Sequence, residues 1–149
     1  MMFKLIFILL LPLLCLQSCK TYSDEEIEAF DDKIKEYLTG NNKFTRSESG
    51  LYYHIIQEGE LHKTKFTDSV LMTYTGKLLN GNVFEKQDNP IQFAVRDLIE
   101  GWKEGLMYCG QGSEIEIIIP PQLGYGNNEL DKIPANSILL YTIKVIEIK

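Results

Sequence analysis

The stretch Val70–Glu85 reads V-L-M-T-Y-T-G-K-L-L-N-G-N-V-F-E. Val70, Met72 and Tyr74 recur at every second position, so an extended chain turns them to one face. Gly76 interrupts the run, Asn80-Gly81 is a strong turn signal, and Phe84-Glu85 resumes the pattern. Two paired strands are expected, carrying the large aromatics Tyr74 and Phe84 beside the Glu85 carboxylate.

The same periodicity extends in both directions. Gly50–Ile56 is rich in β-formers and ends at Glu58-Gly59. A strand over Ser69–Leu79 covers the opening stretch, and Phe84 and the Pro90–Val95 segment follow. Glu114–Ile119 turns Ile115, Ile117 and Ile119 inward, and Ile138–Ile148 does the same with Leu139, Tyr141, Ile143 and Val145. Between them, Glu100–Met107 is helical, with Ile99, Trp102 and Leu106 along one side. Strands with one polar and one apolar face fit an antiparallel sheet wrapped around one short helix, an α+β fold.

A second helix is expected near the N-terminus. Ser23-Asp24-Glu25-Glu26 offers a capping box, and Ile27, Phe30, Ile34, Tyr37 and Leu38 recur at helical spacing. Gly40-Asn41-Asn42 stops it. The stripe either packs on its own domain, pairs with a second copy in a homodimer, or belongs to a loose spacer.

The 149 residues carry a net charge of −6 and are 44% hydrophobic, which allows a real core and gives nucleic acid no electrostatic footing. His54 and His62 are the two histidines, eight apart, and are read as solvated strand or turn residues; no metal or cofactor is expected. Lys4 followed by the apolar run Leu5–Leu16 is a targeting segment, too short to span a bilayer. Leu16-Gln17-Ser18-Cys19 resembles a bacterial lipobox. That resemblance implies lipidation of Cys19 and cleavage after Ser18, anchoring the chain to a membrane of the cell envelope; secretion with an unmodified Cys19 is the alternative. Cleavage would remove Lys4 and no acid, taking the net charge from −6 to −7. Cys109 would then be the one remaining free thiol, unable to form an internal disulfide. The acidic tract after Ser23 also resembles export signals that send some lipoproteins to the cell surface.

From Phe44 to Lys149 the motifs fall in the order of one family. Tyr74 to Glu85 resembles the Tyr-x-Gly-x-Leu-x-x-Gly-x-x-Phe-Asp signature of the FKBP-type peptidyl-prolyl cis-trans isomerases. Gly50-Leu51-Tyr52-Tyr53 resembles its opening strand, and Leu98–Leu106 its Val-Ile-x-Gly-Trp-x-Glu-Gly-Leu helix. Leu123-Gly124-Tyr125-Gly126 resembles its Leu-Gly-Tyr-Gly loop, and Ile133–Ser137 its Ile-Pro-x-Asn-Ser turn. Three zones are expected: a signal peptide over 1–18, a lipid-anchored tether and helix over 19–43, and an isomerase domain over 44–149.

The resemblance implies an aromatic pocket of Tyr74, Phe84, Phe93, Trp102 and Tyr141, with Leu98, Ile99 and Ile133 adding aliphatic contacts. It implies that Tyr125 donates its hydroxyl, and Ile99 its backbone N–H, to substrate carbonyls. Glu85 stands where the family prefers Asp, and its extra methylene is expected to displace its bond with the Tyr74 hydroxyl. The implied activity is isomerisation of Xaa-Pro bonds in exported polypeptides, with macrolides of the tacrolimus and rapamycin type as competing ligands. A non-catalytic module or chaperone holding Pro-containing segments is the alternative, and an anchored interaction protein a third. Gly126–Lys132, seven residues, leaves no room for the inserted chaperone domain of some bacterial relatives.

Overall fold

The structure, a computed structural model, describes residues 22–149. The targeting segment and Cys19 lie outside the described residues. Six strands form one antiparallel sheet: β1 (Thr45–Arg46), β2 (Tyr52–Gln57), β3 (Ser69–Leu78), β4 (Val83–Ala94), β5 (Glu114–Ile119) and β6 (Leu139–Ile148). Their order across the sheet is β1-β2-β5-β6-β3-β4. Phe84 and the Pro90–Val95 segment, read separately from sequence, join in β4 except for Val95, which starts a short 3-10 turn; β4 occupies an edge. Pro90, without an N–H to give to a ladder, is tolerated at such a position.

The turn between β3 and β4 is closed by the Gly81 N–H donating to the Leu78 carbonyl at 2.9 Å. Gly81 takes a left-handed backbone, φ 86°, and Asn80 does not. The connection therefore differs from the two-residue type in which both central residues are left-handed.

One face of the sheet receives α2 (Glu100–Met107), which buries Gly101, Trp102, Gly105 and Leu106. Ile115, Ile117, Ile119, Leu139, Tyr141 and Ile143 share that core, as their alternation requires.

The other face is covered by α1 (Asp24–Tyr37). Both bonds of the capping box are made: the Glu26 N–H donates to Ser23 Oγ at 3.2 Å and the Ser23 N–H to Glu26 Oε2 at 2.8 Å. Ile34 is fully buried in a second cluster with Tyr52, Ile118 and Ile138. This explains why Ile118 breaks the polar alternation of β5: the sheet is buried on both sides there. Burial of the Ile34 side chain contributes about 1.5–3 kcal/mol. Asp31 adds a polar clamp, accepting from Arg46 Nε at 2.7 Å and from the Tyr52 hydroxyl at 3.0 Å, with Lys35 Nζ at 2.8 Å. The stripe thus packs on its own domain. Phe30 and Ile34 of the stripe are covered within the chain, while Tyr37 stays half exposed.

The reading of His54 as solvated needs correction. It is partly buried, and its Nδ1 lies 3.2 Å from a Glu116 carboxylate oxygen across the β2–β5 ladder.

Candidate active site

The aromatics singled out from sequence converge above α2. A cavity of about 300 Å³ is lined by Tyr74, Glu85, Phe93, Asp97, Leu98, Ile99, Trp102, Tyr125 and Tyr141. Strand alternation presents Tyr74 from β3 and Tyr141 from β6 on the helix side, and the first turn of α2 supplies Trp102. The Trp102 ring meets Tyr74 and Tyr141 edge-on, each with centroids 4.8 Å apart, and Phe93 at 6.4 Å. Such edge-to-face pairs suit the ring quadrupoles and fix the walls.

Phe84 and Ile133 are placed differently from the expectation. Both are buried in the same apolar cluster, but neither lines this cavity. Phe84 stands behind Tyr141, edge-on at 5.5 Å, and supports that wall. Gly76 makes this possible. A Cβ there would lie 2.6 Å from the Phe84 ring and 2.7 Å from that of Tyr141, so the two rings close over bare backbone.

Glu85 also departs from the expectation. Its longer side chain does not displace the bond: the Tyr74 hydroxyl donates to Glu85 Oε1 at 2.6 Å. Burial first, and this bond second, hold the Tyr74 phenol well above the usual tyrosine range. Burial and the neighbouring Tyr125 hydroxyl do the same for Tyr141. Both phenols therefore remain protonated throughout the physiological range.

Ile99 caps α2 with an extended backbone, and its carbonyl accepts from the Trp102 and Lys103 N–H groups at 3.0 and 3.1 Å. Among the described residues its own N–H finds no acceptor, so it is available to a ligand carbonyl. The Trp102 indole N–H is a further buried donor without a partner among the described residues.

Asp97, which sequence reasoning missed, stands at the rim with its side chain 73% exposed. Its place immediately before Leu98-Ile99 was the available signal.

No cysteine, serine or threonine stands in these walls, and their carboxylates are Glu85, which accepts from Tyr74, and the exposed Asp97. Cys109 is fully buried, and burial pushes its thiol up to about 12. Among the described residues no group of three or more His, Cys, Asp or Glu side chains is arranged to hold a metal ion. What the cavity can do is take up a compact apolar group, with a few fixed donors around it.

A family model described as FKBP-type peptidyl-prolyl cis-trans isomerase matches residues 61–146. An isomerase of that type, FkpA, from Buchnera aphidicola subsp. Schizaphis graminum is 44% identical over 110 residues, 70% of this chain and 43% of the relative. The Escherichia coli K12 FkpA is 30% identical over 125 residues, 82% of this chain and 46% of the relative. This chain thus spans less than half the length of these curated relatives. The crystal structure of FkpA from Escherichia coli superposes with a TM-score of 0.75 at 30% identity, covering 84% of this chain and 60% of that one.

Proposed function

Because the chain belongs to the family of FKBP-type peptidyl-prolyl cis-trans isomerases, we propose that it accelerates cis-trans exchange at Xaa-Pro bonds by binding the proline in this cavity, without covalent chemistry. The single observation that carries the reading is the aromatic box of Tyr74, Phe93, Trp102 and Tyr141, closed on one side by α2 and edged by fixed donors.

Isomerisation is slow because amide resonance must be broken. The barrier is roughly 18–20 kcal/mol, and uncatalysed exchange takes about 10–100 s. The planar amide is the more charge-separated state; twisting returns electron density to the nitrogen and reduces charge on the oxygen. An apolar, water-poor box therefore disfavours the planar form relative to the twisted one. The Tyr125 hydroxyl and the Ile99 N–H hold flanking carbonyls, which fixes the proline in register with the walls. No acid, base or metal enters this scheme. Apolar residues before the proline are preferred, because Phe93, Leu98 and Ile99 border the cavity.

Exchange spectroscopy on a Leu-Pro or Phe-Pro peptide, with the full chain added, tests the reading: line broadening or accelerated exchange supports it. A protein that binds a macrolide of the tacrolimus or rapamycin type yet leaves exchange at background is a binding module instead.

The likeness of Leu16–Cys19 to a lipobox supports a second element of the reading: Cys19 is lipidated, and the domain works on exported polypeptides at the envelope membrane. Cys19→Ser should move the protein into the soluble fraction, and a variant that still sediments with membranes refutes the anchor. Of the first acids of α1, Glu26 makes the helix-capping contacts, a structural use that stands beside any role in surface export.

A further inference from the structure

We propose that Tyr22 is a positioning residue for the reaction, holding the Tyr125 hydroxyl in place by tying the neck of the loop that carries it. The inference rests on the isomerase reading above.

Tyr22 precedes α1 and is 114 positions from Asn136, yet its hydroxyl donates to Asn136 Oδ1 at 2.6 Å. Its ring is buried, 6% exposed, and stands edge-on to Phe30 with centroids 5.3 Å apart. Asn136 is the one non-glycine residue with a left-handed backbone among the described residues, φ 60°. Asparagine tolerates that conformation better than most side chains. In it, the Asn136 N–H donates to the Gly126 carbonyl at 2.9 Å, and the Gly126 N–H donates to the Pro121 carbonyl at 3.0 Å. Gly126 follows Tyr125 directly. The two ends of the 125–136 loop are thus joined at one point, and Tyr22 grips the side chain at that point.

Packing holds part of the loop, since Ile133 is buried in the core and Tyr125 rests against it. Behind Tyr125 lies an open cavity of about 500 Å³, bounded by Tyr22, Ile27, Pro121, Gln122 and Asn128 among others. Tyr125 borders this space on one side and the aromatic cavity on the other. On the side where Tyr125 borders this open space the hydrogen bonds at the neck fix the loop, so the Tyr22 hydroxyl carries weight there. Tyr22 touches neither the aromatic cavity nor anything bound in it, and acts through Asn136, Gly126 and Tyr125.

The test uses the full chain in detergent, with exchange rates on a Leu-Pro peptide and amide hydrogen exchange across 125–136. Tyr22→Phe keeps the ring against Phe30 and removes only the donor. Its kcat/KM should fall about three- to tenfold, as for loss of one hydrogen bond, and the Gly126 and Asn136 amides should exchange faster. Asn136→Gly, which keeps the backbone conformation and removes the acceptor, should reproduce the loss. In a Tyr125→Phe background Tyr22→Phe should cost nothing further. A wild-type rate in Tyr22→Phe, or losses that multiply with those of Tyr125→Phe, overturns the proposal. A wild type without any exchange activity overturns the isomerase reading instead. Amide exchange then still decides whether Tyr22 fixes the loop, and unchanged protection in Tyr22→Phe refutes it.

Discussion

Gly76→Ala is the most incisive test of how the cavity is built. The added Cβ would lie 2.6 Å from Phe84 Cε2, 2.7 Å from Phe84 Cζ and 2.7 Å from Tyr141 Cε1. Carbon atoms in contact prefer about 3.5–4.0 Å, so both rings must retreat by about 1 Å. Phe84 and Tyr141 are 8% and 2% exposed and stand edge-on to each other, so the room into which Tyr141 can retreat is the aromatic cavity it lines. Overpacking of this kind costs about 1–3 kcal/mol, which lowers Tm by roughly 3–15 °C in a domain of this size. The kinetic effect is larger in proportion. Tyr141 is a wall of the cavity and an edge partner of Trp102, and a displacement of about 1 Å in a positioned group lowers rates by up to ~100-fold. Peptide exchange spectroscopy gives kcat/KM, and calorimetry on the same sample gives Tm. A variant that folds with a lowered Tm but keeps kcat/KM within about twofold of wild type would refute the reasoning, since the Tyr141 wall would then be irrelevant to turnover.

Other outcomes follow from the same geometry. Tyr125→Phe removes one donor and should lower kcat/KM by tenfold or less with little change in Tm; a thermal shift as large as that of Gly76→Ala would mark the hydroxyl as structural. Glu85→Asp withdraws the carboxylate from a bond that is already 2.6 Å long and should lower activity, so an increase would contradict the placement of Glu85. Burial works upward on Asp31, but the bonds from Lys35, Arg46 and Tyr52 outweigh it and hold its carboxyl below the usual range. A depressed folded-state value stabilises above the ordinary carboxylate pKa of about 4 and is lost as pH falls through the lower value. Amide protection of α1 should therefore fall in acid, and Asp31→Asn should lack that part of the fall. The Cys109 thiol, pushed up to about 12, should resist alkylation at pH 8 in the folded protein and react only on unfolding.

Much of this architecture is legible in the residues. Alternation places Tyr74, Tyr141 and the isoleucines of β5 on the helix side because a strand has no other way to bury one face. The helical spacing of Ile99 and Trp102 likewise brings Trp102 to the cavity. Legibility ends where a position depends on a partner distant in sequence. Ile118 reads as a solvent-facing position until α1 is laid over it with Ile34. Phe84 reads as a wall, but Gly76 lets it sink behind Tyr141. Ile133 is drawn into the core beside it. Asp97 carries no periodic signal, since the turn that aims it at the rim is not a repeating structure. The bond between Tyr74 and Glu85 depends on strand register, and β3 and β4 slip register on both sides of this pair, which residue lengths alone do not reveal.

If Cys19 is lipidated as proposed, the burial of Tyr22 would also set a standoff. In the lipidated form proposed above, three peptide steps separate the fixed Tyr22 from Cys19, and a chain that short reaches at most about 10 Å. The domain then has no long arm on which to sweep for clients. Asp24, Glu25 and Glu26 in the first turn of α1 would sit close to the headgroups, where charges are screened only over about 8 Å. An anionic leaflet would repel that end and tip the body outward. The distance of the aromatic cavity from the bilayer is then governed by the dimensions and tilt of a rigid body, and not by the contour length of a linker.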